Sequence, residues 1–151
     1  MKNLNVTQQT LVEKGLLQHL IEGLRQSFAW KIRGDNISRK LSTLKFITRS
    51  FRSHMERLMD LEEREGYMDI VLEKHPHLSK SVDALRHDHD EFRREIGLIV
   101  QDLDRVSPTD QNTLNMICEK AAILLKKVDT HNRKEGDIFQ EAFEREEGGE
   151  G

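Results

Sequence analysis

The feature that most constrains this chain is a set of apolar stripes with 4-3 spacing, each interrupted by ionisable residues. Residues spaced alternately four and three apart lie on one face of a helix. A histidine or glutamate on such a face is unfavourable unless it is paired or bound to a metal. The stripes are Ile37, Leu41, Leu44, Thr48, Phe51, Met55, Leu58, Glu62; Leu78, Val82, Leu85, His89, Phe92, Ile96, Ile99, Leu103, Val106; and Leu114, Ile117, Ala121, Leu124, Val128, His131, Glu135, Ile138, Ala142. Their ionisable members are therefore the candidate functional residues.

The composition predicts a single all-α domain spanning residues 1–151. Charged residues make up 34% of the chain and aromatic residues only 5%, which favours helices over a sheet. The net charge of -3 is close to neutral and does not indicate binding of nucleic acid, which requires a basic surface. No apolar run reaches the ~20 residues of a membrane span, so we expect no membrane partner. With one cysteine, Cys118, and no hydrophobic signal core, we expect a reduced cytoplasmic protein in which this thiol is a buried spectator.

The chain divides into four predicted helices, which favours an up-down-up-down four-helix bundle over residues 10–143. The first should begin near Leu11 at the capping box Thr10–Glu13, with Val12, Leu16, His19, Gly23 and Trp30 on one line. The others should cover 37–64 with an extension towards residue 73, 78–106 and 110–143. Residues 1–9 should form a loose arm and 144–151 a flexible, acidic, glycine-rich tail. The competing architecture is an intermolecular coiled coil, which the turns between the predicted helices disfavour.

The bundle arrangement would bring five ionisable residues to one level. Counted from the predicted helix ends at ~1.5 Å per residue, all five lie about 12–18 Å deep. They are His19, Glu62, His89, His131 and Glu135. Imidazole and carboxylate ligands together suit iron, zinc or manganese. The alternative for each residue is an ordinary hydrogen-bonded core histidine or a glutamate paired with an arginine.

This pattern resembles the hemerythrin-like (HHE cation-binding) family over about residues 10–145. That family has a His on helix 1, H-x-x-x-E on helix 2, one or two His on helix 3, and H-x-x-x-E on helix 4. The resemblance implies a non-haem iron site with His19, Glu62, His89, His131 and Glu135 as metal ligands. It also implies roles in binding or sensing dioxygen or nitric oxide, or in handling iron.

Two positions depart from the fullest version of the family pattern. Leu58 stands four residues before Glu62, and Arg93 four residues after His89, where the family has histidines. The nearest histidine, His54, lies about 12 Å along the helix from Glu62 and belongs to another layer. A di-iron site, a mononuclear site for iron or another divalent metal, and a vestigial site therefore all stay open.

Two other classes of function stay open beside metal binding. One is a metal-free helical interaction module that kept the fold and lost the site, with a protein partner that the residues do not identify. The other is an enzyme acting on peroxide or another small oxidant at an open iron site. The chain has no P-loop, no G-x-S-x-G and no H-E-x-x-H motif. It also has no E-x-x-H pair, which disfavours a ferritin-like oxidase.

Overall fold

The protein is all-α in its computed structural model, which describes residues 2–29, 37–64 and 66–148, with side chains described for 10, 12–27, 37–64 and 66–142. Within these ranges there is no strand. The helices are α1 (Lys2–Ala29), α2 (Ile37–Glu63), α3 (Tyr67–Lys74), α4 (Ser79–Arg105) and α5 (Gln111–Gly148), with one 3₁₀ turn at Pro76–Leu78. None of the described helices is both long enough and apolar enough to cross a membrane.

A glycine ends α2 and allows the chain to turn sharply into α3. A Cβ atom on Gly66 would lie 2.6 Å from the carbonyl oxygen of Glu62 and would also collide with that of Leu61. Only glycine therefore allows this close approach of the backbone to the end of α2. The turn places Tyr67 at the start of α3, directly beside the end of α2.

The link between α4 and α5 is short and hydrogen bonded. Asp110 caps α5, because its Oδ1 accepts a hydrogen bond from the backbone N–H of Thr113 at 3.1 Å. Before it, the hydroxyls of Ser107 and Thr109 lie 2.9 Å apart. These contacts order the short link between α4 and α5, which pack against each other.

Two apolar clusters lie along the molecule with a polar layer between them. The main cluster joins α1, α2, α4 and α5 and includes Met59, Phe92 and Val128. The second includes Met68, Leu85 and Ile138. On α2–α3, on α4 and on α5, the residues between these two groups include the ionisable members of the three stripes. The polar residues are thus gathered at one level by the apolar packing on either side.

The three stripes predicted on α2, α4 and α5 are confirmed. Every member is buried except Ile37, which is partly buried and packs against the main cluster. Cys118 is also buried, as predicted, and it is a free thiol.

The predicted inward face of the first helix is wrong. Val12, Leu16 and His19 are exposed, while the neighbouring series Glu13, Leu17, Ile21, Leu24 is buried. Both series have helical spacing, and the leucine-rich segment gives no clear contrast between the two faces. Trp30 and the predicted turn at 33–36 lie outside the described residues.

The predicted chain ends also need correction. Residues 2–9 continue α1 rather than forming an arm, and Thr10 lies inside this helix rather than capping it. No proline or glycine interrupts the chain before Gly15, so nothing stops the helix. At the other end, α5 continues to Gly148, five residues into the predicted tail. Residues 149–151 lie outside the described part of the chain.

Candidate metal centre

Four of the five predicted ligands come together in the buried polar layer. Glu62 arrives from α2, His89 from α4, and His131 and Glu135 from α5, and each is 4% exposed or less. The Nε2 atoms of His89 and His131 lie 3.2 Å apart. The Nε2 atom of His131 lies 3.1 Å from Oε1 of Glu135. Glu62 lies near enough to Glu135 for the two carboxyl groups to shift each other's pKa, so the four side chains are neighbours in one layer.

The fifth predicted ligand, His19, does not join this centre. Its side chain is exposed, because it lies on the outward face of α1. The residue that α1 does bring near the centre is Lys14, whose Nζ lies 3.7 Å from Oε2 of Glu135. The first helix therefore contributes an ammonium group where the sequence predicted an imidazole.

Carboxylates hold the outer nitrogen atoms of both imidazoles. Nδ1 of His89 lies 3.1 Å from Oε1 of Glu63, and Nδ1 of His131 lies 3.0 Å from Oδ2 of Asp88. An ionised carboxylate only accepts hydrogen bonds, so both Nδ1 atoms carry the proton. Each ring then directs its Nε2 atom at the centre, and a neutral ring offers a lone pair there. Histidine ligands of metals are commonly oriented by outer carboxylates in this way.

Arg93 strengthens one of these carboxylate contacts. Its Nη2 donates to Oε2 of Glu63 at 2.6 Å. Burial raises the pKa of Glu63, but the hydrogen bonds from Arg93 and His89 outweigh burial and hold that pKa below its ordinary value. Glu63 is therefore ionised at neutral pH. Arg93, a departure from the family pattern, thus supports His89 from outside the centre.

The second departure, Leu58, is a buried apolar residue of the main cluster. His54 is not a substitute for the missing histidine, because its Nδ1 bonds to Oε2 of Glu13 at 2.9 Å. The prediction that His54 belongs to another layer agrees with this contact.

Tyr67 completes the network on the side of Glu135 away from the histidines. Its hydroxyl donates to Oε2 of Glu135 at 2.5 Å, and the nearby carboxyl group of Glu62 also affects its pKa. The ring packs against that of Phe139 in a tilted arrangement, with centroids 4.5 Å apart. Burial and the two neighbouring carboxyl groups raise the pKa of Tyr67 far above its ordinary value, so the hydroxyl stays protonated in the absence of a metal.

The protonation states follow from burial and from the partners. Burial and the neighbouring Glu135 raise the pKa of Glu62 well above its ordinary value. Burial opposes ionisation of Glu135, but Glu62, His131 and Lys14 outweigh it and lower its pKa. Burial also lowers the pKa of His131, yet hydrogen bonds to Glu135 and Asp88 raise it above normal overall. Burial and the nearby His131 lower the pKa of His89. These directions favour a protonated Glu62, a charged His131, a carboxylate at Glu135 and a neutral His89 in the metal-free centre.

The donor atoms are spaced like neighbouring ligands of a metal ion. Two nitrogen ligands bound at about 2.1 Å lie about 3.0 Å apart at right angles and about 3.4 Å apart in a tetrahedron. The separation of 3.2 Å between the two Nε2 atoms falls in this range. Oε2 of Glu62 is buried and, among the described residues, has no hydrogen-bond partner. An unsatisfied buried carboxyl oxygen is what an additional cation would satisfy.

The donors nevertheless form a chain rather than a closed cage. Among the described residues, no group of three or more His, Cys, Asp or Glu side chains is arranged so that it could hold a metal ion. His131 lies in the middle of the chain, in contact with both His89 and Glu135. Small side-chain rotations would be needed to bring these donors around one ion.

The sequence did not identify three residues that contact the candidate ligands, which are Asp88, Lys14 and Tyr67. Asp88 precedes His89 in the chain but contacts His131, a pairing that depends on how α4 packs against α5. Lys14 was hidden by the wrong choice of inward face on α1. For Tyr67 a signal did exist, because it follows Gly66 directly after the acidic end of α2.

Comparison of the chain with protein-family models, with curated proteins and with solved structures finds no match.

Proposed function

We propose that this protein binds a divalent metal, iron in the first instance, at a centre formed by Glu62, His89, His131 and Glu135. The observation that carries the proposal is the pair of facing imidazoles. Their Nε2 atoms lie 3.2 Å apart while carboxylates hold both Nδ1 atoms. Two lone pairs that face each other at this distance repel unless one of the nitrogen atoms carries a proton or both bind a metal ion. Both arrangements are chemically reasonable, and a metal would use the lone pairs of both Nε2 atoms.

Charge balance supports a divalent ion. In the metal-free centre the positive His131 balances the negative Glu135, while Glu62 and His89 are neutral. An ion with two positive charges can replace the proton on Glu62 and the second proton on His131, leaving the charge of the layer unchanged. The buried layer therefore accepts a divalent ion without adding an unpaired charge to the interior.

We also propose the up-down-up-down bundle as the arrangement of the four long helices. Along α4 the residues pass from the second apolar cluster to the main one, and along α5 they pass in the opposite direction. The path from α2 to α3 runs in the same sense as α5. The short link between α4 and α5 also favours antiparallel neighbours. Ligand sites of bundles are built from inward side chains at one level, as here.

The resemblance to hemerythrin-like proteins supports iron and a small diatomic ligand, dioxygen or nitric oxide. With two imidazoles and two carboxylates, a bound ion would keep open positions for such a ligand. The chain's own residues would bind and orient the ion, and the two apolar clusters would limit the access of water. The bound iron would supply the redox and ligand-binding chemistry.

The proposal is tested by comparing metal binding in matched variants. Untagged protein is loaded with iron(II) without oxygen, and bound metal is measured after dialysis. The double variant His131→Ala, Glu135→Ala should lose metal, while the control His19→Ala should bind like the wild type because His19 is exposed. Equal metal content in the double variant and the wild type would show that the proposed site is wrong.

A metal-free helical interaction module is the second candidate. It is favoured by the protonated network, which already pairs most of the inward polar atoms without a metal. If the protein retains no metal while its circular-dichroism spectrum shows a folded helical protein, the result favours this candidate over the first.

A further inference from the structure

We propose that Tyr67 is a ligand of the centre and that its phenolate oxygen gives the site a preference for ferric iron. This inference rests on the proposed metal function and extends the ligand set beyond the histidines and glutamates. The phenol lies at the junction of α2 and α3, where Gly66 turns the chain back towards the buried layer.

The two oxygens of Glu135 divide the centre into two sides. Oε1 lies 3.1 Å from Nε2 of His131, on a side where both neighbours are imidazoles. Oε2 lies 2.5 Å from the hydroxyl of Tyr67, on a side shared with the carboxyl group of Glu62. The second side therefore presents three oxygen donors, one from each of α2, α3 and α5.

Oxygen donors of this kind favour hard cations, whereas imidazoles suit zinc, copper and iron alike. The carboxyl group of Glu62 also carries a buried oxygen, Oε2, that has no hydrogen-bond partner among the described residues. When the phenol oxygen binds iron(III), the O–Fe bond replaces the O–H bond and the proton leaves to solvent, with no change in oxidation state.

One neighbouring charge works against a cation on this side. Nζ of Lys14 lies 3.7 Å from Oε2 of Glu135, and its side chain is 35% exposed. The ammonium group is held by a long flexible chain, and it lies 5.3 Å from the ring centroid of Phe139. Lys14 can therefore move towards solvent when a cation binds, since nothing buries it completely.

The test uses the fact that Tyr67 is the only tyrosine in the chain. Any phenolate–iron signal from the protein must then come from this residue. The wild type is loaded with iron(III) as its nitrilotriacetate complex, freed of excess reagent, and examined by visible absorption and resonance Raman spectroscopy. We expect a phenolate-to-iron(III) charge-transfer band together with phenolate ring vibrations.

Two variants separate ligation from packing. Tyr67→Phe keeps the ring against Phe139, loses the band, and should bind iron(III) about tenfold or more weakly while its zinc(II) affinity changes less than about threefold. Tyr67→Phe combined with Phe46→Tyr restores one tyrosine at a position where the side chain is 74% exposed. This double variant should also lack the band.

The possible failures are distinguishable. Wild-type protein that retains iron(III) without a phenolate band would overturn the role of Tyr67 and leave the proposed metal function standing. The role of Tyr67 would likewise be overturned if Tyr67→Phe kept the band, or if its zinc(II) affinity fell as far as its iron(III) affinity. Wild-type protein that retains neither iron nor zinc would overturn the metal function and this inference together.

Discussion

Arg93 and Glu63 form an ion pair that supports the candidate metal centre from outside, with Nη2 of Arg93 2.6 Å from Oε2 of Glu63. The other oxygen of Glu63 lies 3.1 Å from Nδ1 of His89. The arginine thus keeps the carboxylate ionised, and the carboxylate fixes the ring that presents Nε2 to the centre. A residue that departs from the hemerythrin-like ligand pattern is therefore part of the support of the ligands.

Neutralising this carboxylate should weaken metal binding without removing a ligand. In Glu63→Gln the side chain can still contact His89, but it no longer provides the negative charge that makes the imidazole a stronger donor. We expect the metal affinity to fall about 10- to 100-fold, as measured by competition with a chromophoric chelator. The exposed carboxylate of Glu73 provides the control, and Glu73→Gln should bind like the wild type. An unchanged affinity in Glu63→Gln would contradict the role given to Glu63.

Metal binding should release protons and should strengthen as the pH rises. The pKa values of Glu62 and His131 are raised in the folded protein, which favours the protonated form of both residues before the ion arrives. Binding of one divalent ion must displace about two protons, one from each residue. At higher pH these protons have already left, so they no longer compete with the ion. Calorimetric titration in buffers of different ionisation enthalpy measures the number released, and a value near zero would be inconsistent with the proposed protonation states.

Restoring a histidine in α2 should strengthen the centre. Leu58 is buried one helical turn before Glu62 on the same face. Leu58→His should therefore raise the metal affinity by about tenfold, with some loss of stability in the metal-free protein. The control is Met55→His, which puts the same side chain on this face about 10 Å from the level of Glu62. Equal affinities in the two variants would mean that position 58 does not face the ion.

Another buried carboxylate, Glu13, lies outside the candidate metal centre and predicts the acid sensitivity of the fold. Glu13 accepts hydrogen bonds from His54 and Arg57 at 2.9 and 3.0 Å. Burial raises the pKa of Glu13, but these two partners outweigh burial and lower it overall. A lowered folded-state pKa stabilises the fold above the unfolded-state value of about 4.3 and loses that effect as the pH falls through the folded-state value.

The variant Glu13→Gln should therefore be less stable than the wild type at neutral pH and should lose less stability on acidification. Thermal unfolding followed by circular dichroism from pH 7 down to pH 3 measures this difference. Glu22→Gln is the control, since the side chain of Glu22 is 55% exposed. Parallel pH profiles for Glu13→Gln and the wild type would rule out a contribution from the Glu13 contacts.

The sequence predicted which ionisable residues are buried where the helices are long and their apolar spacing is strict. On α4, His89 lies between apolar stripe residues, and on α5 the pair His131 and Glu135 does too, so burying these apolar residues also buries the ionisable ones. The same reasoning placed Glu62 at the buried end of α2. These four positions needed no knowledge of how the helices pack.

The first helix was harder because leucines occupy several of its faces. Leu16 belongs to the exposed series and Leu17 to the buried one, so spacing alone does not choose between them. The choice depends on Glu13, which can be buried only because His54 and Arg57 on α2 satisfy its carboxylate. Such pairings between distant segments are set by packing, which is also why Lys14 and Asp88 could not be assigned from the chain alone.

The most direct measurement is an anomalous-scattering map of crystals of the iron-loaded protein, collected on both sides of the iron absorption edge. We expect an iron peak about 2.0–2.2 Å from the Nε2 atoms of His89 and His131, with Glu135 turned to bind the same ion. Iron bound only elsewhere, or a loaded crystal in which the two Nε2 atoms still face each other with no peak beside them, would contradict the proposed centre.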